Sequence, residues 1–256
     1  MDFTNKTVLL TGGGTGIGFA LAQLLVQRRN RVIIIGRRLD KLQEAQQLVP
    51  ALQIFQCDVA QPAAIDALFA TLHTQGIVLD ALVNNAAVLE MWDIMKQTIP
   101  SAEIFNRLSI NLAGPICLTQ CFIRQADLKR KNYIINVTTE AAIMPVPILP
   151  LYSASKTGLS VFTQSLRVQL KNQPFVVMEV MPPPVESRMT TQDLRNSGPL
   201  VLAANFAAGL LKKIEAGKLY YAPGANAWQL RLIRRLAPNV GLHLVDKLSR
   251  QQLHAV

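Results

Sequence analysis

Residues 7–18 read Thr-Val-Leu-Leu-Thr-Gly-Gly-Gly-Thr-Gly-Ile-Gly, a short apolar run followed by a glycine-rich loop. Glycines allow a tight turn and let the backbone approach a pyrophosphate, while the N-terminus of a following helix offers free N–H groups and a partial positive charge. The stretch predicts a strand, a phosphate-binding loop and a helix, although glycine-rich turns also occur without ligands. The candidate cofactor contacts in the loop are Gly12, Gly14, Thr15, Gly16, Ile17 and Gly18.

The rest of the chain continues this alternation. Further apolar runs fall at 31–35, 52–57, 81–83, 133–137, 175–180 and 219–221, and helical patterns at 18–28, 40–48, 62–73 and 152–170. Short apolar strands that alternate with helices predict a parallel sheet covered on both faces. We find no internal repeat and no flexible linker. The sequence therefore predicts one α/β domain over residues 1–256, with a Rossmann-type, doubly wound parallel β-sheet.

Composition and charge exclude several classes of protein. Half of the 256 residues are hydrophobic and 16% are charged, which argues against disorder. No apolar stretch approaches the roughly 20 residues that a spanning helix needs, and no secretory signal precedes the first apolar run. The three cysteines and three histidines lack the spacing of a zinc site. We expect a cytoplasmic chain with small buried thiols and no metal.

The net charge of +10 is concentrated towards the C-terminus. Residues 206–256 hold eight Lys or Arg and two Asp or Glu, a net +6. We define 224–256 as a basic helical tail, in which Trp228 to Leu236 combines apolar residues at helical spacing with three arginines. Such a helix packs on the core or on a neighbouring subunit, or it lies on a membrane surface as a peripheral contact. No nucleic-acid-binding motif accompanies the charge, so we predict no nucleic-acid partner.

The second predicted strand ends at Gly36-Arg37-Arg38. Dinucleotide folds that prefer NAD place an Asp or Glu near this point, where it binds the ribose 2′-hydroxyl. Here the position is Gly36, and a guanidinium pairs well with a 2′-phosphate. Arg37 and Arg38 therefore predict NADP as the cofactor, with NAD as the alternative if both arginines are only solvated.

A tyrosine and a lysine stand four residues apart at 152 and 156, in Tyr-Ser-Ala-Ser-Lys. At that spacing the two side chains share one face of a helix. A neighbouring ammonium favours the phenolate and lowers the pKa of a tyrosine, which otherwise lies at roughly 10. The pair predicts an acid/base that protonates a carbonyl oxygen or deprotonates an alcohol.

Together these motifs resemble the short-chain dehydrogenase/reductase family over nearly the whole chain. The resemblance implies an oxidoreductase of the EC 1.1.1 type that transfers hydride between NADP(H) and a carbonyl compound or secondary alcohol. Tyr152 and Lys156 match the acid/base pair, and Asn111 matches the structural and proton-relay asparagine. The other implied cofactor contacts are Asp58, Val59, Asn85, Ala86, Ala87, Tyr152, Lys156, Pro182, Val185 and Ser187.

Two departures from the family pattern concern the site. The family's catalytic serine corresponds to Thr139, whose hydroxyl offers the same donor and acceptor but whose methyl group narrows the site. Thr139 is therefore the predicted substrate-orienting residue; alternatively, Thr138 takes this role or turnover is weak. At 182–187, Pro-Pro-Pro-Val-Glu-Ser replaces a usual Pro-Gly, and Ser187 replaces a threonine that contacts the nicotinamide. Bacterial members with a Pro-Pro turn are the most similar subgroup.

Three irregular segments follow predicted strand ends, at 88–100, 143–150 and 182–199. Ligands bind at this edge of an open parallel sheet, so we predict that these segments line the substrate pocket and that 187–215 forms a lid. The apolar candidates predict a small, apolar substrate: Met91, Trp92, Met144, Val146, Ile148, Leu149, Met189 and Leu194. The family resemblance implies a homodimer or homotetramer. A catalytically weak NADP-binding redox sensor or regulator is the competing function.

Overall fold

The chain folds around a seven-stranded parallel sheet in a computed structural model that describes residues 3–186, 200–223 and 227–253. The strands are Thr7–Thr11 (β1), Arg31–Gly36 (β2), Gln53–Gln56 (β3), Ala81–Asn84 (β4), Asn132–Val137 (β5), Phe175–Val180 (β6) and Tyr220–Tyr221 (β7). The helices are Gly16–Gln27 (α1), Leu39–Leu48 (α2), Pro62–Thr74 (α3), Ser101–Leu108 (α4), Gly114–Gln125 (α5), Pro150–Gln169 (α6), Ala203–Glu215 (α7), Ala227–Leu236 (α8) and Pro238–Leu253 (α9). A π-helical turn, Ser109–Ala113, joins α4 to α5.

The strand order is β3-β2-β1-β4-β5-β6-β7, and each pairing is parallel. The order reverses between β1 and β4, which is where a doubly wound sheet opens a crevice at the carboxyl ends of its strands. The predicted α/β class and the doubly wound parallel sheet are confirmed. The glycine loop after β1 lies at this switch point.

The sheet is buried on both faces because successive side chains of a strand point to opposite sides. In β2, Val32 and Ile34 belong to the core formed with α1 and α7, whereas Ile33 and Ile35 belong to the core formed with α3, α5 and α6. Continuous apolar runs are therefore required in the central strands. Within the described ranges, no helix has the length and apolar character to cross a membrane.

The segment predicted as a lid, 187–215, is partly a core helix. Residues 187–199 lie outside the described part of the chain, but 203–215 form α7. Its residues Phe206, Leu210 and Ile214 are buried in the core that includes α1. The apolar period of α7 thus serves packing on the sheet rather than closure over the site.

Candidate active site

A cavity of about 830 Å³ lies along the carboxyl edge of the sheet. It brings together most of the residues proposed from the sequence as cofactor or catalytic contacts: Gly12, Gly14, Thr15, Gly16, Ile17, Arg37, Arg38, Asp58, Val59, Asn85, Ala86, Ala87, Thr139, Tyr152, Lys156, Pro182 and Val185. Gly18 and Asn111 are not among the residues of its wall. Ser187, Met189 and Leu194 lie outside the described residues.

The glycine loop leaves no room for side chains at its base. Gly12 has a φ of +67°, a left-handed conformation that favours glycine, and its N–H donates to the Ile35 carbonyl at 2.8 Å. A Cβ on Gly18 would stand 2.3 Å from the Gly12 oxygen. The backbone is therefore packed closely around an open cradle at the start of α1, and this shape fits a pyrophosphate.

The loops after β1 and β4 are fastened to each other. The Thr11 hydroxyl accepts hydrogen bonds from the backbone N–H groups of Asn85 and Ala86, at 2.9 and 2.8 Å. The Asn85 amide donates back to the Thr11 carbonyl at 3.0 Å. These bonds hold the two sides of the crevice together, so Asn85 supports the cofactor cavity as well as lining it.

Two exposed arginines stand at the cavity edge beyond β2. Gln56 donates to the Arg37 carbonyl at 3.0 Å, which ties the residue to the end of β3. Lys41, three residues after Arg38 on α2, lines the same part of the cavity and pairs with Asp40 and Glu44. Sequence reasoning missed Lys41, although its spacing from Arg38 on the predicted helix was the available signal. The cationic edge fits a phosphate group on the adenosine ribose.

Asn111 lies in the π-helical turn, a conformation that is frequent at functional sites. Its Oδ1 accepts from the Val88 N–H at 2.8 Å, and its Nδ2 donates to the Val88 carbonyl at 2.8 Å. Nδ2 also donates to the Ser155 hydroxyl at 3.2 Å, and Ser155 donates to the Tyr152 carbonyl at 2.8 Å. Asn111 therefore joins the loop after β4 to the helix that carries Tyr152 and Lys156.

Tyr152 and Lys156 lie in the first two turns of α6 and face the cavity. Burial raises the pKa of Tyr152 to about 12, and a hydrogen bond with the Thr139 side chain opposes that rise. Burial lowers the pKa of Lys156 to about 8, and its Nζ donates to the Val137 carbonyl at 2.8 Å. Desolvation of the phenolate is the largest influence on the pKa of Tyr152 in this arrangement, and the predicted lowering by Lys156 stays a prediction. The phenol is held protonated, as a proton donor requires.

The two threonines after β5 have different partners. The Thr138 hydroxyl is bonded to the Glu179 carboxylate at 3.1 Å and the Val180 carbonyl at 3.2 Å, both on β6. Thr139 instead lowers the pKa of Tyr152 and accepts from the Ala141 N–H at 3.3 Å. Thr138 is engaged in holding β5 to β6, which leaves Thr139 as the hydroxyl beside the phenol.

The far end of the cavity is apolar. Of the predicted substrate contacts, Met144, Val146, Ile148 and Leu149 line it. Met91 and Trp92 do not; the Trp92 N–H pairs with the Ile148 carbonyl at 2.9 Å, and its ring donates to the Gln97 carbonyl. That pairing fastens the 88–100 loop to the proline loop and directs Trp92 away from the cavity.

The basic tail completes this end of the cavity. Leu230 of α8 and Val245 of α9 line it, and both were missed from the sequence because they lie far along the chain. Arg234 donates to the carbonyls of Ala142 and Ile143, which docks α8 beside the turn that follows Thr139. Of the sequence alternatives for the tail, the structure has the helix packed on the core.

These features describe a dinucleotide-binding α/β protein with a tyrosine, a lysine and a threonine beside the cofactor cradle. A family profile described as short chain dehydrogenase matches residues 6–197. The chain therefore belongs to the short-chain dehydrogenase family, as the sequence motifs predicted.

Individual relatives agree with this assignment. An uncharacterized oxidoreductase of Bacillus subtilis, DltE, is 34% identical over 201 residues, which cover 77% of this chain and 79% of the relative. A mouse protein named 17-beta-hydroxysteroid dehydrogenase type 3 is 28% identical over 71% of this chain and 61% of its own length. A Burkholderia cenocepacia short chain dehydrogenase, crystallised with NADP, has a TM-score of 0.77 at 24% identity, covering 88% of this chain and 100% of that one. The crystallised relative supports the fold.

Proposed function

We propose that the chain is an NADP-dependent oxidoreductase that interconverts a carbonyl compound and a secondary alcohol, with Tyr152 as the acid/base. The observation that carries the proposal is that Thr139, Tyr152 and Lys156 line one cavity together with the glycine cradle. A pure NADP-binding sensor has no need of a buried phenol paired with a hydroxyl at this position.

The cofactor preference rests on charge. Arg37 and Arg38 stand where an acidic residue would select NAD, and Lys41 adds a third cation at the same edge. The NADP found in the Burkholderia relative is consistent with this preference. The chemistry that NADP supplies when bound is hydride transfer at its nicotinamide ring.

The chain's own residues supply positioning and protons. Thr139 orients the substrate oxygen towards the Tyr152 phenol, which donates its proton during reduction and recovers it during oxidation. Lys156, whose ammonium is fixed by the Val137 carbonyl, binds the cofactor's ribose and supplies positive charge beneath the phenol. Asn111 holds α6 against the loop after β4. It also takes part in the proton relay that links Lys156 to solvent.

The substrate is small and largely apolar, because Met144, Ile148 and Leu230 form the wall beyond Tyr152. The name of the mouse relative, a hydroxysteroid dehydrogenase, is in keeping with an apolar secondary alcohol. The deciding experiment is a panel of ketones and aldehydes monitored by NADPH absorbance. Turnover that Tyr152→Phe abolishes supports the enzyme, whereas tight NADPH binding without turnover on the whole panel supports the sensor.

We also propose a homodimer or homotetramer built on α4 and α6. Phe105 of α4 and Val161 and Val168 of α6 are more than half exposed in the single chain. Light scattering tests this, because Val161→Lys with Phe105→Lys should yield monomers.

The free thiols of Cys57, Cys117 and Cys121 suit the reducing cytoplasm, which we propose as the location.

A further inference from the structure

The residue after Thr139 is a glutamate whose backbone is fixed by a tight turn. Glu140 begins a 3₁₀ turn, Glu140–Ala142, and its carbonyl accepts from the N–H groups of Ile143 and Met144 at 2.9 and 3.2 Å. Thr139 caps this turn through its hydroxyl. The backbone of Glu140 is therefore held at a defined place, one residue from the hydroxyl that faces Tyr152.

Glu140 is one of the residues that line the cavity. Its Oε1 is buried and accepts no hydrogen bond from the described residues, and burial raises the pKa of the carboxyl group. A buried acceptor without a donor costs about 1–3 kcal/mol, more for a charged group.

Two arginines of α8 bind groups other than Glu140. Arg234 gives its hydrogen bonds to the Ala142 and Ile143 carbonyls, and Arg231 lies against the ring of Tyr220. No ion pair in the described ranges includes Glu140. Met144 and Leu149, which are apolar, line the same cavity. Beyond Thr139 and Tyr152, the Glu140 carboxylate is thus a polar acceptor in a largely apolar wall.

We propose that Glu140 accepts a hydrogen bond from a hydroxyl or ammonium group of the substrate. The inference rests on the proposed function and sharpens it: the substrate is an amphiphilic carbonyl compound whose donor group lies within a few bonds of the carbonyl carbon. Thr139 and Tyr152 hold the carbonyl oxygen, Glu140 holds the donor, and the apolar wall holds the rest. A site with such an acceptor discriminates strongly against an analogue that lacks the donor, because the acceptor then stays unpaired.

The test uses matched phenyl ketones. One set carries a hydroxyl group on the first, second or third carbon beyond the carbonyl, a second set carries an ammonium group there, and a third carries methyl. The full chain is assayed with NADPH as wild type, Glu140→Gln and Glu140→Leu. Glu103→Leu is the control, since Glu103 is exposed on α4 and forms only a surface pair with Arg107.

We expect the wild type to favour one donor-bearing ketone over its methyl counterpart by about tenfold or more in kcat/KM. Glu140→Leu should abolish that preference. It should leave kcat/KM for the methyl ketone and the dissociation constant of NADPH within about twofold of wild type, and the melting temperature unchanged. If the donor is a hydroxyl, Glu140→Gln retains part of the preference; if it is an ammonium, Gln loses it as Leu does. Glu103→Leu should behave as wild type.

Turnover by wild type without any preference for a donor, or a preference that survives Glu140→Leu, would overturn the role of Glu140 and leave the proposed function standing. No turnover of any ketone would count against the proposed function instead. In that case, thermal shifts of the NADPH-loaded chain with the same ketone pairs decide on Glu140. Equal shifts for donor and methyl ketones would overturn its role, and a larger shift for the donor that Glu140→Leu removes would support it.

Discussion

Lys156 donates a hydrogen bond from Nζ to the carbonyl oxygen of Val137 at 2.8 Å, so a fully buried ammonium is anchored to the end of β5. That anchor places the charge below Tyr152 without an acidic partner. The arrangement serves the reaction at a cost in stability, because burial lowers the lysine pKa from 10.5 to about 8.

Lys156→Met should inactivate the enzyme and stabilise the fold. The lowered pKa corresponds to an unfavourable free energy of about 3 kcal/mol for burying the charge, which Met removes. Loss of the hydrogen bond to Val137 costs about 1 kcal/mol in the other direction. We expect a gain of about 2 kcal/mol in the free energy of unfolding at pH 7, and a melting temperature higher by several degrees. Urea unfolding measures it, with the exposed Lys171→Met as control.

The same substitution has a signed dependence on pH. The folded pKa of Lys156 is lowered, so between pH 8 and 10.5 the unfolded chain binds more protons than the folded chain. The wild type therefore gains stability relative to Lys156→Met as the pH rises through this window. An advantage of Met that stays constant from pH 7 to 10 would contradict the buried charge.

Activity should fall on the alkaline side near the lysine pKa. Reduction needs a protonated phenol and a charged ammonium; the pKa of Tyr152 is raised to about 12 and that of Lys156 is lowered to about 8. The kcat/KM for NADPH reports the ionisations of the free chain. It should be flat below pH 8 and fall about tenfold per pH unit above it. A decline that begins only near pH 10 would show that Lys156 keeps its ordinary pKa.

Arg37→Asp should change the cofactor preference. The guanidinium is exposed at the cavity edge beyond β2, and an aspartate there repels a 2′-phosphate while accepting from a 2′-hydroxyl. We expect the KM for NADPH to rise by about 10- to 100-fold, in line with the loss of a charge-assisted hydrogen bond, and the KM for NADH to change little. Lys171→Asp, which also inverts an exposed charge, should leave both constants unaltered. Equal effects of Arg37→Asp on both cofactors would refute the NADP site.

Thr139→Val keeps the side-chain shape and deletes the hydroxyl that shares the cavity with Tyr152. We expect kcat to fall by about 10²-fold or more, the scale for removing an orienting donor, whereas Thr139→Ser should retain activity. Thr138→Val should instead lower stability, because it leaves the buried Glu179 without that donor. Full activity of Thr139→Val would move the orienting role to another group.

The strands, the glycine loop and the Tyr152–Lys156 pair were predictable because each is encoded within a few consecutive residues. The continuous apolar run of β2 and the spacing of residues 152 and 156 depend little on distant packing. Leu230 and Val245 were not predictable, since their place in the cavity depends on how α8 and α9 dock on a turn about ninety residues earlier. The raised pKa of Tyr152 likewise follows from burial, which no local pattern records.

The most direct test of the central claim follows the hydrogen itself. NADPH carrying deuterium at C4, prepared separately on each face of the ring, is incubated with the chain and a ketone that it turns over, and the alcohol is examined by mass spectrometry. Hydride transfer from bound NADPH with Tyr152 as the acid predicts one deuterium on the carbinol carbon from one of the two labelled cofactors, and no product with Tyr152→Phe despite normal NADPH binding. Alcohol without deuterium from either cofactor, or undiminished product from Tyr152→Phe, would contradict it.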